Sequence, residues 1–594
     1  MSGRPFHRES LVPRTADLQA LRDLAADLRE LPYTTEAVEA LLGPVATQAL
    51  DREQAEPARL RLSQVMPDDG SLASQHGLAA VVSAWMLGDP VPMELLDAAL
   101  PRLGADGAAR LELGWNRDGM FHPVVDLSPY STDDLGDLWV ASDQTALQAR
   151  CALPSWHVLG IGRASLTLAG NVDRRPVERA LDLGTGCGIQ TLHLLPHAQH
   201  VTATDLSERA LEFTRFNLVL NAPALGLELT EEGQLPAERV RLVQGDLLEP
   251  VAGDQFDLIV SNPPFVITPR DSEPDPAEGT GTAQIPEGIN TYRDGGRTGD
   301  RLLAELITRL PEHLTPGGTA QLLGNWEIHS PASPGTVDTP DTSVPGAASP
   351  QLPGWDERLR SWVPQGTDAW FIQRDLLDPA GYAETWLQDS SEQLDPEHFA
   401  AGYRRYLEDF QARGVAAVGF GYLWLRRPTQ PRTGRIRTET VEGELQRPLG
   451  PAWAAAIERW DLTVGSAPDV DASADHHAGN HADPDTDPVD LDAVRSLHLR
   501  VPPDVTEERH QRFGAADPEV ILARQGGGFR RVARLDTATA GFLAAADGEF
   551  TAGQLAGAIA GLLELDPDGE RQLLLAVAEL VRDGFLIHCD AGHA

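Results

Sequence analysis

Between residues 176 and 330, short apolar runs alternate with stretches of helical periodicity. Five of these runs are predicted strands: VERALDLG, HVTATDL, VRLVQGDLL, FDLIVSN and TAQLLGNW. The helical stretches include SERALEFTRFNLVLN and GDRLLAELITRLPEHL. Alternation of this kind is typical of a parallel sheet with crossover helices. Two later runs, AWFIQRDLL and AVGFGYLWLRR, would complete the sheet, so we predict an α/β, Rossmann-like domain with a mainly parallel seven-stranded sheet.

The chain has 594 residues, which is too long for one ordinary hydrophobic core. We predict an N-terminal module over residues 1–140, the α/β domain over 141–428 and a C-terminal region over 429–594. Helices precede strand-like segments at both ends, which favours winged-helix-like α+β modules. Residues 330–354 are rich in Pro, Ser and Thr, and residues 467–490 are acidic. Both segments lack core-forming residues, so we predict that they are disordered.

Composition restricts the partners of the protein. The 48 basic and 89 acidic residues give a formal net charge of −41, which disfavours broad nucleic-acid binding. Three cysteines indicate neither a disulfide framework nor a Cys-rich zinc site, and we predict no metal. No window approaches the roughly 18 apolar residues of a membrane span. We therefore expect a cytoplasmic protein without membrane contact.

Three successive predicted strands end in residues suited to a nucleoside. The first is followed by a glycine-rich turn, where glycine permits a tight bend and close backbone approach to a ligand. The candidate residues around this turn are Asp182, Gly184, Thr185, Gly186 and Gly188. The second strand ends at Asp205, where a carboxylate can accept two ribose hydroxyls. The third ends near Asp246, which can hold an adenine amino group.

Phosphate-binding motifs are missing from this sequence. The chain contains no lysine, and therefore no GxxxxGK[ST] loop. Ile189 stands where the dinucleotide-binding pattern GxGxxG requires a final glycine or alanine. A Rossmann-like nucleoside site without phosphate recognition predicts S-adenosyl-L-methionine as the cofactor.

Taken in order, the motifs LDLGTGCG, TATDLS, GDLLEP and SNPPF resemble those of class I S-adenosylmethionine-dependent methyltransferases. SNPPF resembles the NPP[FY] group of N-methyltransferases, which includes HemK-like release-factor glutamine methyltransferases and small-domain rRNA and tRNA base methyltransferases. The resemblance covers about residues 145–330. It implies cofactor contacts from the motif residues, including Leu206, Leu247 and Asn262, and a segment that closes over the cofactor, for which residues 157–170 are the candidate. The loop at residues 292–300 resembles the glycine-rich stretch of the family.

Two consecutive prolines in SNPPF stop a predicted strand, because each lacks an N–H and fixes its own φ. Amide and nucleobase nitrogens are poor nucleophiles, so such an acceptor must be held with its plane fixed. The Asn262 side-chain oxygen and the Pro263 carbonyl can accept its two N–H bonds, which strengthen as the nitrogen becomes cationic. Pro263 and Pro264 keep these acceptors aimed, and Phe265 can stack on the flat acceptor. We predict these four residues as catalytic.

Two acceptors fit this chemistry. A glutamine amide of a translation protein, such as a release factor, is favoured by the negative charge. An exocyclic amine of rRNA or tRNA, adenine N6 or guanine N2, is favoured by Phe265, because release-factor enzymes of the group usually carry NPPY. Arginine-rich stretches at residues 425–437 and 523–534 could contact phosphates of a structured RNA. Small-molecule methylation and a non-catalytic cofactor-binding interaction protein are further alternatives.

Overall fold

The computed structural model describes residues 11–65, 74–150, 153–270, 294–330, 354–389, 395–463 and 489–589. These residues fall into two units, one of Met1–Ala169 with Pro176–Gln430, and one of Gly170–Arg175 with Pro431–Ala594. The segments predicted to be disordered, 330–354 and 467–490, lie outside the described residues except at their ends. Within the described ranges, no helix has the length and apolar character needed to cross a membrane.

The N-terminal part of the first unit contains helices and antiparallel strands. Its helices are α1 Leu18–Glu30, α2 Thr35–Leu50, α3 Glu56–Val65, α4 Ser74–Val81, α5 Met93–Ala99, α6 Gly104–Arg110 and α7 Ala146–Ala149. Its strands are β1 Val91–Pro92, β2 Gly114–Arg117, β3 Met120–Pro123, β4 Val125–Thr132 and β5 Gly136–Asp143. β1, β3 and β2 form one small sheet, and β4 pairs with β5. The region is α+β, and its likeness to a winged helix stays a prediction.

The remainder of the first unit is built around a large sheet. Its strands are β6 Val177–Leu183, β7 Ala198–Asp205, β8 Val240–Gln244, β9 Phe256–Ser261, β10 Leu314–His329, β11 Asp368–Leu377 and β12 Val415–Arg426. The helices are α8 Arg163–Asn171, α9 Ile189–Leu194, α10 Glu208–Leu220, α11 Arg301–Arg309, α12 Glu357–Trp362, α13 Pro379–Asp389 and α14 Pro396–Arg413. Each predicted strand corresponds to one of these seven.

These strands lie in the order β11-β12-β10-β9-β6-β7-β8. The four pairs from β8 to β10 are parallel, and only β12 among the seven runs antiparallel to its two neighbours. The prediction of a mainly parallel α/β sheet is thereby confirmed. The chain order reverses at β6, which has β7 on one side and β9 on the other. Ligands of open α/β sheets bind outside the carboxyl ends of the strands at such a reversal.

The second unit has its own hydrophobic core. Its helices are α15 Gly450–Thr463, α16 Leu491–Ser496, α17 Thr537–Ala545, α18 Ala552–Leu562 and α19 Pro567–Asp583. Its strands are β13 Ile436–Thr440, β14 His498–Arg500, β15 Val505–His510, β16 Val520–Gln525, β17 Val532–Leu535, β18 Asp547–Thr551 and β19 Ile587–His588. β14 joins β18 and β19, and β15, β16 and β17 form an antiparallel sheet. Phe542, Leu574 and Phe585 are fully buried between these elements.

Candidate functional site

The turn after β6 requires glycine. Gly184, Gly186 and Gly188 have positive φ angles of 77°, 57° and 92°, a conformation that residues with a Cβ rarely adopt. A Cβ built on Gly184 or Gly186 would meet no atom within 4 Å, so the space beside these residues is open. At Gly188 it would lie 3.0 Å from Thr214 Cγ2, so this glycine also permits packing against α10. The turn therefore presents bare backbone to open space.

A buried carboxylate holds this turn in shape. Asp182 is fully buried at the end of β6, and its Oδ2 accepts hydrogen bonds from Thr185 Oγ1 at 2.7 Å and from the Thr191 amide at 2.9 Å. Burial raises the pKa of Asp182 to about 6, against the opposing effect of these hydrogen bonds. Sequence reasoning named Asp182 as a cofactor-binding residue. In the structure its Oδ2 ties the turn to α9, and its role in cofactor binding stays a prediction.

The end of β7 brings a second carboxylate to the glycine turn. Asp205 Oδ2 accepts a hydrogen bond from the Gly186 amide at 3.0 Å, and Oδ1 accepts one from the Ser207 amide at 2.8 Å. Burial raises the pKa of Asp205, while backbone hydrogen bonds oppose the shift. The next residue, Leu206, is an aliphatic side chain that is 49% exposed. A carboxylate and an open apolar surface therefore lie side by side.

The end of β8 adds a third acidic position. The Gly245 amide donates to the Asp205 carbonyl at 3.0 Å, which keeps the two strand ends together. Asp246 Oδ2 lies 3.5 Å from Arg297 Nη2, a residue that sequence reasoning did not name. Leu247 has a φ of +46°, which is rare for a bulky residue and indicates a constrained backbone.

The NPPF residues follow β9 at the same edge. The buried Ser261 hydroxyl donates to the Leu183 carbonyl at 2.7 Å, which fixes the start of the motif beside the glycine turn. Asn262 Oδ1 is buried, and it has no hydrogen-bond partner among the described residues. A buried acceptor without a donor costs about 1–3 kcal/mol. Such a group is suited to an N–H donor from a substrate.

Aromatic residues from a distant part of the chain support Phe265. The Phe265 backbone forms an isolated antiparallel bridge with Asp294. Its ring lies 6.1 Å from the Trp386 ring, at an interplanar angle of 67°. The Tyr382 hydroxyl accepts a hydrogen bond from the Ile267 amide at 2.8 Å. Sequence reasoning missed Trp386 and Tyr382, because both belong to α13 and meet the motif only through the fold.

The segment predicted to close over the cofactor, residues 157–170, is anchored by an ion pair. The Val158 amide and Arg209 Nε donate to the same Asp143 oxygen, at 2.9 and 2.8 Å. The Arg209 guanidinium also lies 4.7 Å from the centre of the Trp156 ring. Arg209 belongs to α10, the helix that starts after Asp205. The start of the segment is therefore fixed beside the second strand end.

No cluster of three or more His, Cys, Asp or Glu side chains suited to a metal ion occurs in the part of the chain that the structure describes. The carboxyl-terminal edge of the sheet carries the open glycine backbone and the carboxylates of Asp205 and Asp246, each followed by a leucine. It also carries the Asn262 side-chain oxygen, which has no hydrogen-bond partner among the described residues. The chemistry that these groups support is binding of a nucleoside and alignment of a planar N–H donor.

Residues 155–273 match the family described as methyltransferase small domain, and residues 30–122 match a domain of unknown function, DUF7059. The first of these segments contains the glycine turn, Asp205, Asp246 and the NPPF residues. This match confirms the prediction that this segment resembles a class I methyltransferase domain of the NPP[FY] group.

Two curated relatives share this segment. A ribosomal protein uL3 glutamine methyltransferase from Bradyrhizobium diazoefficiens is 34% identical over 158 residues, covering 25% of this chain and 42% of the relative. A release factor glutamine methyltransferase from Xylella fastidiosa is 33% identical over 159 residues, covering 26% and 50%. The chain thus spans half or less of the length of these relatives. A methyltransferase structure from Thiobacillus denitrificans, in complex with S-adenosyl-L-homocysteine, is 18% identical with a TM-score of 0.22, covering 46% of this chain and 92% of that chain.

The raised pKa of Asp182 predicts that the stability of the fold depends on pH. Its folded pKa is about 6, against about 4 for an exposed carboxyl. Between these values the folded state binds more protons than the unfolded state, so the free energy of unfolding falls as the pH rises. Asp182→Asn cannot titrate and lacks this contribution. Denaturant unfolding should show that the stability of the wild type relative to the variant falls by about 2 kcal/mol between pH 4 and pH 7. A constant difference over this range would contradict the assignment.

Asp205→Ala should weaken binding of S-adenosyl-L-homocysteine and leave the fold intact. The variant loses the hydrogen bonds that the ribose hydroxyls would donate to the carboxylate. Hydrogen bonds to a charged group contribute about 1.5–3 kcal/mol, or about ten- to a hundredfold in affinity. Calorimetric titration measures this change, with circular dichroism as the check on folding. Glu212→Ala, which removes a half-exposed carboxylate from α10, is the matched control and should bind as the wild type does. Equal affinity of both variants would refute the role of Asp205.

Proposed function

We propose that this protein is an S-adenosyl-L-methionine-dependent N-methyltransferase whose acceptor is a glutamine amide of a translation protein, of the release-factor type. The observation that carries the proposal is the buried Asn262 Oδ1, which has no hydrogen-bond partner among the described residues. The preceding residue, Ser261, is bonded to the Leu183 carbonyl at the start of the glycine turn. The names of the two curated relatives, which act on a release factor and on ribosomal protein uL3, support the same acceptor class.

The strand ends of β6, β7 and β8 would hold the cofactor. The open backbone from Gly184 to Gly188 leaves room for its amino-acid part, and Asp205 can accept its ribose hydroxyls. Asp246 can accept the adenine amino group, with Leu206 and Leu247 as apolar neighbours of the base. When bound, the cofactor supplies an electrophilic methyl group.

The NPPF residues would hold the acceptor amide. Asn262 Oδ1 and the Pro263 carbonyl accept its two N–H bonds, and these bonds strengthen as positive charge develops on the nitrogen. Pro264 limits the motion of both acceptors, which lowers the entropy cost of alignment. Phe265, supported by Trp386, offers a ring face to the developing cation. No strong general base is required, because the methylated nitrogen is acidic enough to lose its proton to water.

The arginine-rich stretches favour a protein acceptor over RNA. Four of their guanidinium groups pair with carboxylates of the same chain: Arg426 with Asp368 at 2.8 Å, Arg437 with Asp583 at 2.6 Å, Arg524 with Glu508 at 2.7 Å and Arg531 with Glu439 at 2.6 Å. A guanidinium that is already paired contributes little to phosphate binding. Phe265, in place of the usual tyrosine, is the observation that favours an exocyclic amine of RNA as the second candidate.

A translation protein as acceptor implies that the activity is cytoplasmic. We assign the methyltransferase activity to the domain at residues 141–428. The module at 1–140 and the region at 429–594 flank this domain in the sequence. The four catalytic residues in this proposal are Asn262, Pro263, Pro264 and Phe265.

Asn262→Ala should separate chemistry from cofactor binding. The variant keeps its affinity for S-adenosylmethionine, because the other strand ends hold the cofactor. Methyl transfer should slow by about 10²–10³, since one acceptor that strengthens in the transition state is lost. The measurement is single-turnover methylation, at saturating cofactor, of an extract from cells that lack the protein. Calorimetry gives the cofactor affinity in parallel.

Two variants of Phe265 serve as controls for this experiment. Phe265→Tyr keeps the ring face and should lower the rate of methyl transfer less than Asn262→Ala does. Phe265→Ala should chiefly weaken binding of the acceptor. If Asn262→Ala transfers methyl groups at the wild-type rate, the prolines only stop the strand and the proposed clamp is wrong.

A further inference from the structure

A cavity of about 340 Å³ lies between α1 and the end of α10, in the first unit. None of its lining residues belongs to the strand ends β6–β9 or to the NPPF motif. Its wall is aliphatic, with contributions from Leu18, Leu21 and Ala25 of α1, and from Val219, Leu220 and Leu227. This volume is within the range of small-molecule sites, which are mostly apolar with a few polar groups that fix orientation.

Arg22 and Arg29 supply the charged groups of this cavity. They are seven residues apart on α1, which puts both on one side of the helix about 10 Å apart. Neither forms an ion pair with any residue in the described ranges. The Arg29 guanidinium carbon lies 5.9 Å from the centre of the Trp139 ring. The chain carries a net charge of −41, and many of its other arginines do pair with carboxylates. Two guanidiniums beside an aliphatic wall are therefore available to an external anion.

The lining selects the chemistry of the occupant. No aromatic ring lines the cavity within the described part of the chain, so it lacks a platform for stacking a planar group, and an aliphatic chain matches its wall. A guanidinium presents a planar fork that suits a carboxylate. We propose that this cavity binds an amphipathic anion, an unbranched aliphatic chain of medium length with a carboxylate head. The site is separate from the methyl-transfer site and does not depend on its function.

The test is calorimetric titration of the full-length protein with hexanoate, octanoate and decanoate, each kept below its micelle concentration. Affinity should rise about fourfold for each added methylene, the equivalent of about 0.8 kcal/mol. The double variant Arg22→Gln, Arg29→Gln should bind decanoate about tenfold more weakly. Arg215→Gln removes one arginine from α10 outside the cavity and should bind as the wild type does.

Three further probes separate the head group from the chain. Decanol and decyltrimethylammonium should bind at least tenfold more weakly than decanoate, because the hydroxyl carries no charge and the trimethylammonium head is itself cationic. Ala25→Leu places a larger side chain in the cavity from α1, so the affinity of this variant should no longer rise with chain length. Unchanged affinity for S-adenosyl-L-homocysteine is the check on folding. The proposal is overturned if affinity is independent of chain length or if the double variant matches the wild type. Tighter binding of decyl phosphate than of decanoate would overturn the carboxylate assignment.

Discussion

β6 pairs in parallel with β7 on one side and with β9 on the other, and the candidate methyl-transfer site depends on this arrangement. Because parallel strands end at the same edge, the glycine turn, the carboxylate of Asp205 and the NPPF residues meet there. The Ser261 hydroxyl, bonded to the Leu183 carbonyl, joins the ends of β6 and β9 directly. A change in strand order would separate the acceptor residues from the cofactor residues.

Two buried polar groups at this edge of the sheet lower the stability of the fold, and the proposed function gives a reason for both. Asp182 is ionised at neutral pH at a cost, because burial raises its pKa, yet its hydrogen bonds hold the turn that must stay open. Asn262 keeps a buried oxygen that has no donor among the described residues, which a folded protein tolerates where a ligand supplies the missing bond. The stability lost at these positions is the physical counterpart of a preorganised site.

Much of the α/β domain could be predicted from sequence, because periodicity and strand-end residues are local signals. All seven strands fall on predicted runs, although the strand within VRLVQGDLL already ends at Gln244. The contacts of Trp386, Arg297 and Arg209 could not be predicted, because each joins segments that are far apart in the chain. The hydrogen bonds of Asp182 to Thr185 and Thr191 could not be predicted either, because a position in a motif does not show where a side chain points.

The most direct test of the acceptor class uses an extract from cells that lack the protein. Purified protein and S-adenosylmethionine with a labelled methyl group are added, and the products are divided between nuclease and protease digestion. Methylation of a glutamine amide predicts that protease releases the label, that nuclease does not, and that mass spectrometry finds it on a glutamine side chain. Label that nuclease releases as a methylated adenine or guanine would contradict the proposal and establish RNA as the acceptor.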